Sequence, residues 1–440
     1  MKKILFLFSS GCLFIFSCKK NDQPPAPEKN VFDLKNDHIK IAIVSDIHYT
    51  DPGLFTNNGI EGQAFQEYLA QDPKLLAYSD PIFRKVLADL KADKPDILLV
   101  PGDLTKDGER ISHQSMASFF QSLKNENIKV YVVPGNHDVA NPEAMRYDGN
   151  NAIPTPGISA TEFSSIYGAF GYTNAISRDP NSLSYIAQPY AGLWIMGVDA
   201  CRYEDNITKS TTPGRIKPQT LSWMLARLAE AKAQNITVFG MMHHNLLEHY
   251  TNQTELDPGY VIDNWQPVTE SLMNAGLRII FTGHYHASDI TRYEKDGNEL
   301  FDIETGSLVT APIPYRRIIM KNKDLDITTT QVTSINAVFP NGMTFTEYSN
   351  SFLSGQLDVY FNYLLTNPPF SAPSSLATFA APMFRQGIMA HFEGDEKINP
   401  QQKAEVAQLE AYSPELAGIV DLLWTDLPVK DNRENVKYRK

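Results

Sequence analysis

Ile128-Lys129-Val130-Tyr131-Val132-Val133-Pro134-Gly135-Asn136-His137-Asp138 is the stretch on which the reading of this chain turns. Its first six residues form an apolar run closed by a Pro-Gly turn signal, the pattern of a buried strand. That strand delivers an amide, an imidazole and a carboxylate in succession. Asn offers a neutral oxygen to a metal, His can donate a proton, and the following Asp can hold that His in orientation. A polar turn that caps the next element would use the same residue types, so the partners of this stretch decide its meaning.

The same arrangement recurs on either side. Residues 39–45 form a nearly continuous apolar strand that runs into Asp46-Ile47-His48. Residues two apart on an extended segment point to one side, so Asp46 and His48 can face one ion. Strand 96–100 leads into Pro101-Gly102-Asp103-Leu104-Thr105, strand 236–242 into His243-His244, and strand 278–282 into Gly283-His284-Tyr285-His286. Helical patterns lie between them: one opened by Pro81, one N-capped by Ser112 and reaching Leu123, one over 218–234, and one over 268–274. In the third, Leu221, Met224, Leu225 and Leu228 share a face, as core packing requires. Further strands are expected at 183–187 and 193–198, and hairpin strands at 289–293, 300–304 and 325–332. This alternation predicts an α/β (α+β) fold with a parallel or mixed sheet and polar residues at the strand C-terminal ends. Residues 141–180, rich in Gly, Pro, Asn and Ser, read as a long surface excursion beside a substrate cleft. Segments 352–365 and 400–411 read as helices separated by a Pro-rich stretch, 367–382. The expected division is a catalytic unit over 36–338 and an accessory helical lobe over 339–440.

The chain has 440 residues, 42% of them hydrophobic, with a formal net charge of -12. It can bury a large core, and it lacks the basic surplus that a nucleic-acid-binding face needs. At the N-terminus, Lys2-Lys3 precede an apolar segment over 4–16 that is too short to span a bilayer comfortably. Ile15-Phe16-Ser17-Cys18 resembles a bacterial lipoprotein processing box with Cys18 as the lipidated residue. A Pro-rich tether over 19–35, with Pro24, Pro25 and Pro27, follows the 1–18 leader. The expectation is an exported protein, lipid-anchored to the cell envelope and facing the periplasm or the outside. With Cys18 lipidated, Cys201 has no partner, so no disulfide framework is expected.

Six of the 10 histidines, His48, His137, His243, His244, His284 and His286, stand at these strand ends. Any one of them could be a satisfied core histidine; their concentration at one sheet edge argues for metal ligands. The ordered set Asp46-Ile47-His48, Gly102-Asp103, Gly135-Asn136-His137-Asp138, His243 and Gly283-His284-Tyr285-His286 resembles the signature of the calcineurin-like metallophosphoesterases. The resemblance implies a β-sandwich flanked by helices, with a two-metal centre at the sheet edge. It assigns Asp46, His48, Asp103 and His286 to one ion, and Asp103, Asn136, His243 and His284 to the other, with Asp103 bridging. His243 is preferred to His244 because it stands where the family's strand-end ligand comes. His137 takes the place of the catalytic histidine at the leaving oxygen, with Asp138 as its orienting partner. His244 and His249 stay open between substrate contact and a supporting or surface place.

Carboxylate, imidazole and amide ligands without thiolates suit Mn, Fe or Zn. Two such ions lower the pKa of a water between them and clamp the attacking and phosphoryl oxygens of an in-line displacement. After Gly102-Asp103 the chain reads Leu104-Thr105-Lys106-Asp107-Gly108-Glu109, without the Asp-Arg-Gly pattern of the Ser/Thr protein phosphatases. The Gly-Asp-Leu-Thr form is similar to bacterial class III cyclic-nucleotide phosphodiesterases. The expected activity is therefore hydrolysis of a small phosphoric diester. A phosphomonoesterase of nucleotidase type is the alternative, and a non-catalytic surface binding protein is a third reading.

Overall fold

The apolar runs that end in the motif residues become the inner strands of two sheets. The computed structural model describes residues 38–438, so the leader, the tether and Cys18 lie outside the described residues. The first sheet has the order Arg433–Lys437, Asp324–Gln331, Pro314–Lys321, His38–Ile43, Ile97–Pro101, Lys129–Val133. Its last three strands are parallel, and His38–Ile43 pairs antiparallel with Pro314–Lys321. The second sheet has the order Ile290–Lys295, Asn298–Glu304, Ile279–Thr282, Thr237–Met242, Leu193–Val198, Tyr185–Tyr190, Ser177–Arg178. Its central four strands are parallel.

Ile97–Pro101 and Ile279–Thr282 are buried at every position, which is why their sequences are continuous rather than alternating. Ile41, Leu98 and Val132 of one sheet share an apolar cluster with Ile195, Phe239 and Phe281 of the other, so the sheets stack as a sandwich. Helices Pro218–Ala233 and Trp265–Ala275 cover the outer face of the second sheet, packing Met224, Leu228 and Leu272 against Trp194 and Met196. Helices Ser79–Asp93 and Arg110–Lys124 add Phe83, Val86, Met116 and Phe120 to the main core. The fold is α/β, a β-sandwich flanked by helices, with a C-terminal helical region.

Several local expectations change. Ser112 lies inside its helix, whose N-cap is Glu109, and its hydroxyl accepts from the Asp51 amide at 3.3 Å instead. Residues 141–180 are not an irregular excursion. Met145–Asp148 and Asn151–Pro154 build a small third sheet with Phe55–Thr56, and helix Ala160–Ile166 starts in a Ser159/Glu162 capping box. Strand Pro314–Lys321 is hidden in the sequence because Arg316-Arg317 breaks its alternation; Arg316 is fully buried. The Pro-rich stretch 367–382, expected as a separator, holds most of the first half of helix Ser374–Glu393, with Pro382 inside it. Burial of Ala377, Ala380, Ala381, Met383 and Phe384 outweighs the hydrogen bond that the proline cannot make.

The C-terminal helices, Phe345–Thr366, Ser374–Glu393, Pro400–Tyr412 and Pro414–Leu422, are bracketed by neighbouring strands of one sheet. Strand Arg433–Lys437 returns to pair antiparallel with Asp324–Gln331. The described residues accordingly belong to one compact unit. The helices pack Leu357, Phe361, Phe384 and Ile388 around Tyr250, Tyr285 and Ala287, residues of the loops next to the histidine motifs. Among the described residues no helix is long and apolar enough to cross a membrane.

Candidate metal centre

Three of the five motifs leave the sheet edge in a strained turn. Asp46, His48, Asp103, His284 and His286 all have positive φ, of 49°, 41°, 47°, 79° and 68°. For residues other than glycine such backbone costs about 1–3 kcal/mol each and persists only where the surroundings impose it. Here the turns are laced together: His48 N donates to Asp103 O at 2.9 Å, and His284 N donates to Asp46 Oδ2 at 3.0 Å. Two glycines make the approach possible. A Cβ on Gly135 would stand 2.0 Å from Asp103 Oδ1, and one on Gly283 would stand 2.4 Å from Asp46 Oδ2.

Asp46, His48 and His286 bring one donor atom each within 4.8 Å of one another, and so do Asp103, His243 and His284. Asp103 Oδ2 lies between the two groups, 3.5 Å from His48 Nε2 and 3.4 Å from His243 Nε2. Asn136 Oδ1 lies 3.1 Å from His243 Nε2. The structure thus brings together all seven residues expected to hold metal. His243 Nδ1 donates to Pro101 O at 2.9 Å, which turns Nε2 toward the centre. His286 Nδ1 meets Thr310 Oγ1 at 3.0 Å, which fixes the ring with Nε2 toward Asp46. Burial pushes His48 and His284 well below the usual imidazole range, into the neutral form that ligates. Asp46 Oδ1 is buried without a hydrogen-bond partner, 3.4 Å from His286 Nε2. An unpaired buried carboxylate oxygen facing imidazole nitrogens is a position that a cation satisfies, so the residues fit the ions the motifs imply.

His137 is also at the centre, its ring edge-on to His48 with centroids 4.9 Å apart. Its orienting partner is Asp107, not Asp138. His137 Nδ1 donates to Asp107 Oδ1 at 2.9 Å. Asp138 faces the other way and accepts from the Leu104, Thr105 and Gly135 amides and from Thr105 Oγ1, at 2.9–3.1 Å. It ties the Asp103 loop to the Asn136 loop and does not touch the imidazole. Asp107 is buried with Lys106 and Tyr68 on its other oxygen. Burial would raise this carboxyl, but Lys106 and His137 bring it down to about 2. Burial also works to lower His137, yet the Asp103 charge and the Asp107 hydrogen bond outweigh it and raise the imidazole. Asp107 belongs to the Leu104–Glu109 departure from the protein-phosphatase pattern, the one signal in the sequence that points toward it. His244 is buried off the cleft, donating from Nε2 to Thr212 O at 2.9 Å, with its ring 4.4 Å from that of His284. His249 belongs to a separate buried cluster with Asp289 and Asp302.

The sequence pattern of the calcineurin-like phosphoesterases matches residues 39–288, more than half of the chain and a range that includes every residue expected to hold metal. The chain belongs to the calcineurin-like phosphoesterase family. Such phosphoesterases depend on a dinuclear metal centre. Among solved structures, a dimetal phosphatase from Danio rerio is similar at 14% identity, covering 67% of this chain and 96% of its own, with a TM-score of 0.47. A candidate 5′-nucleotidase from Staphylococcus aureus is similar at 14% identity, covering 73% of this chain and 59% of its own, with a TM-score of 0.39. No curated protein matches the sequence.

The centre of this phosphoesterase opens into a cleft of about 1130 Å³. Asp103, Asn136, His137, His284 and His286 line it. Leu357, Tyr360, Phe361, Phe384, Ile388 and Phe392 from the C-terminal helices add a largely apolar wall. Lys74 also lines the cleft, paired with Asp72 at 3.1 Å. Burial works against its charge, but Asp72, Asp107 and Asp103 raise it. No sequence signal marks Lys74, which sits in an irregular segment remote from every motif.

Proposed function

We propose that this phosphoesterase hydrolyses small phosphoric diesters with an apolar or aromatic substituent. The observation that carries this is the cleft: its apolar wall extends well beyond the volume that a phosphate at the metal ligands needs. Asp46, His48, Asp103 and His286 would hold one ion and Asp103, Asn136, His243 and His284 the other, with Mn, Fe or Zn matching the donors. Bound there, the ions supply Lewis-acid charge and lower the pKa of a coordinated water. The chain's own residues do the rest. Lys74 draws the phosphoryl anion into the cleft. Tyr360 and Phe384 hold the second substituent. His137, oriented through Nδ1 by Asp107, delivers its Nε2 proton to the departing alkoxide or phenoxide. Sequence alone supports the further proposal of an exported lipoprotein anchored through Cys18.

The test is turnover of bis-p-nitrophenyl phosphate beside p-nitrophenyl phosphate by Mn-loaded protein, with Asn136→Ala and His137→Ala as controls. A diester preference of about tenfold or more in kcat/KM, lost in both variants, is expected. Monoester preference would overturn the diester reading in favour of a phosphomonoesterase, to whose dianion Lys74 is suited. No turnover of either ester by protein holding both ions would point to a binding protein.

A further inference from the structure

We propose that a further divalent metal ion binds in the buried cluster of His249, Asp289, Glu304, His391 and Glu396, separate from the dinuclear centre. The five side chains come from four places in the chain. His249 lies in the loop after strand Thr237–Met242, Asp289 before Ile290–Lys295, and Glu304 at the end of Asn298–Glu304. His391 lies in the last turn of helix Ser374–Glu393, with Glu396 just beyond it. All are buried, the most exposed being Glu396 at 6%. Asp289, His391 and Glu396 bring donor atoms within 4.8 Å of one another. Asp289 connects the two halves, with Oδ1 2.9 Å from His249 Nδ1 and Oδ2 3.6 Å from His391 Nδ1. Glu304 Oε2 lies 3.8 Å from His249 Nδ1.

Hydrogen bonding accounts for only part of this cluster: His391 Nδ1 donates to Glu396 Oε1, the Ala287 amide to Glu304 Oε1 and Thr291 Oγ1 to Asp289 Oδ1. Glu304 Oε2, Glu396 Oε2 and both ring nitrogens of His249 are buried without a hydrogen-bond partner. His249 Nδ1 and Asp289 Oδ1 are close but lack the alignment of donor and acceptor, as two ligands converging on one ion would. The neighbouring Arg316 makes no hydrogen bond to these carboxylates. Arg316 directs its donors to the backbone oxygens of Asp289, Glu304 and Asp431 and to Thr329 Oγ1. Asp302 is occupied by the Leu246 and Leu247 amides and the Thr282 hydroxyl. Three buried carboxylates beside two imidazoles therefore want a cation, since unpaired burial of such groups costs several kcal/mol in order of magnitude. Two imidazoles with carboxylates and no thiolate suit Zn, Mn or Fe better than Ca or Mg. The ion would fasten helix Ser374–Glu393, which carries Phe384 and Ile388 of the cleft wall, to the loop that follows His286.

The test uses full-length protein stripped with chelator, reloaded with Zn²⁺ and desalted. Zinc per chain is counted by mass spectrometry, and crystals of the wild type are measured at the zinc absorption edge. The expected result is one zinc more than the dinuclear centre holds, with an anomalous peak among the five side chains. His391→Ala should lose that zinc and keep the other two, whereas Asp103→Ala should keep it while losing zinc at the dinuclear centre. Should His391→Ala not fold, Glu396→Gln gives the same count and the wild-type anomalous map decides unaided. A wild type with zinc at the dinuclear centre alone, or a His391→Ala protein that keeps every ion, would overturn the proposal and leave a proton-sharing cluster.

Discussion

Replacing Asp107 by Asn removes the carboxylate charge from the 2.9 Å contact with His137 Nδ1 while keeping the side chain's size. The imidazole stays in place, so the loss is that of orientation and of charge support rather than of the acid itself. Removing such a partner costs about 10–100-fold in activity, which is roughly 1.4–2.7 kcal/mol of transition-state stabilisation. His137→Ala, which removes the acid, sets the upper bound at about 10²–10⁴-fold. The sign of the pH effect comes from the same contact. Asp107 raises the His137 pKa, and the protonated form is the acid, so activity is lost as pH rises through that pKa. Asp107→Asn lowers it, and the alkaline limb of kcat for a diester must move to lower pH. Lys106 keeps Glu109 Oε1 at 3.4 Å, and circular dichroism with a metal count verifies that the variant is folded and loaded. Asp138→Asn is the contrast. Its amide would set N–H against the N–H donors of Leu104, Thr105 or Gly135, costing about 1–3 kcal/mol in stability with no shift of the limb. Wild-type kcat and limb in Asp107→Asn, or a limb shift in Asp138→Asn alone, would refute the assignment.

Gly135→Ala should abolish metal binding and diester turnover together, because its Cβ has only 2.0 Å to Asp103 Oδ1; calorimetric Mn titration reads the first. Asn136→Ala should weaken one ion by about 10–100-fold in the same titration, whereas His137→Ala keeps both affinities and loses only turnover. Tyr360→Ala should raise KM for bis-p-nitrophenyl phosphate by about 3–10-fold with kcat unchanged; at 52% exposure its removal should leave the melting temperature alone. Val436→Asp buries a carboxylate on the strand that returns to the first sheet and should cost about 3 kcal/mol in urea unfolding. A C-terminal segment that were a detachable lobe would show no such loss.

Short buried apolar runs announce themselves, because nearly every residue is hydrophobic, and the polar groups after them stand out by contrast. That is why residues 39–45, 128–133 and 278–282, with the ligands after each, are legible in the sequence. Parallel strands then bring their C-terminal ends to one edge, so topology gathers the residues expected to hold metal. The direction of each side chain beyond a strand end is not legible in this way. Asp138 adjoins His137 in the chain, yet neighbouring residues in a turn point different ways, and the crossing of loop 103–109 gives Asp107 the imidazole instead. Lys74 and the apolar wall of the cleft carry no local pattern, since their places depend on how distant segments pack. Pro382 reads as a helix breaker until the burial of Ala377, Ala380 and Phe384 is weighed against it, and Arg316 reads as a surface charge until the carbonyls around it are seen. The sequence by itself determined the alternating strands and the polar groups at their ends, because periodicity and strand-end chemistry are local, and its family resemblance supplied the sandwich and the expected ligand set. Only the tertiary structure decided the histidine's partner, the shape of the cleft and the second buried cluster of charges, because each depends on side-chain direction and long-range packing.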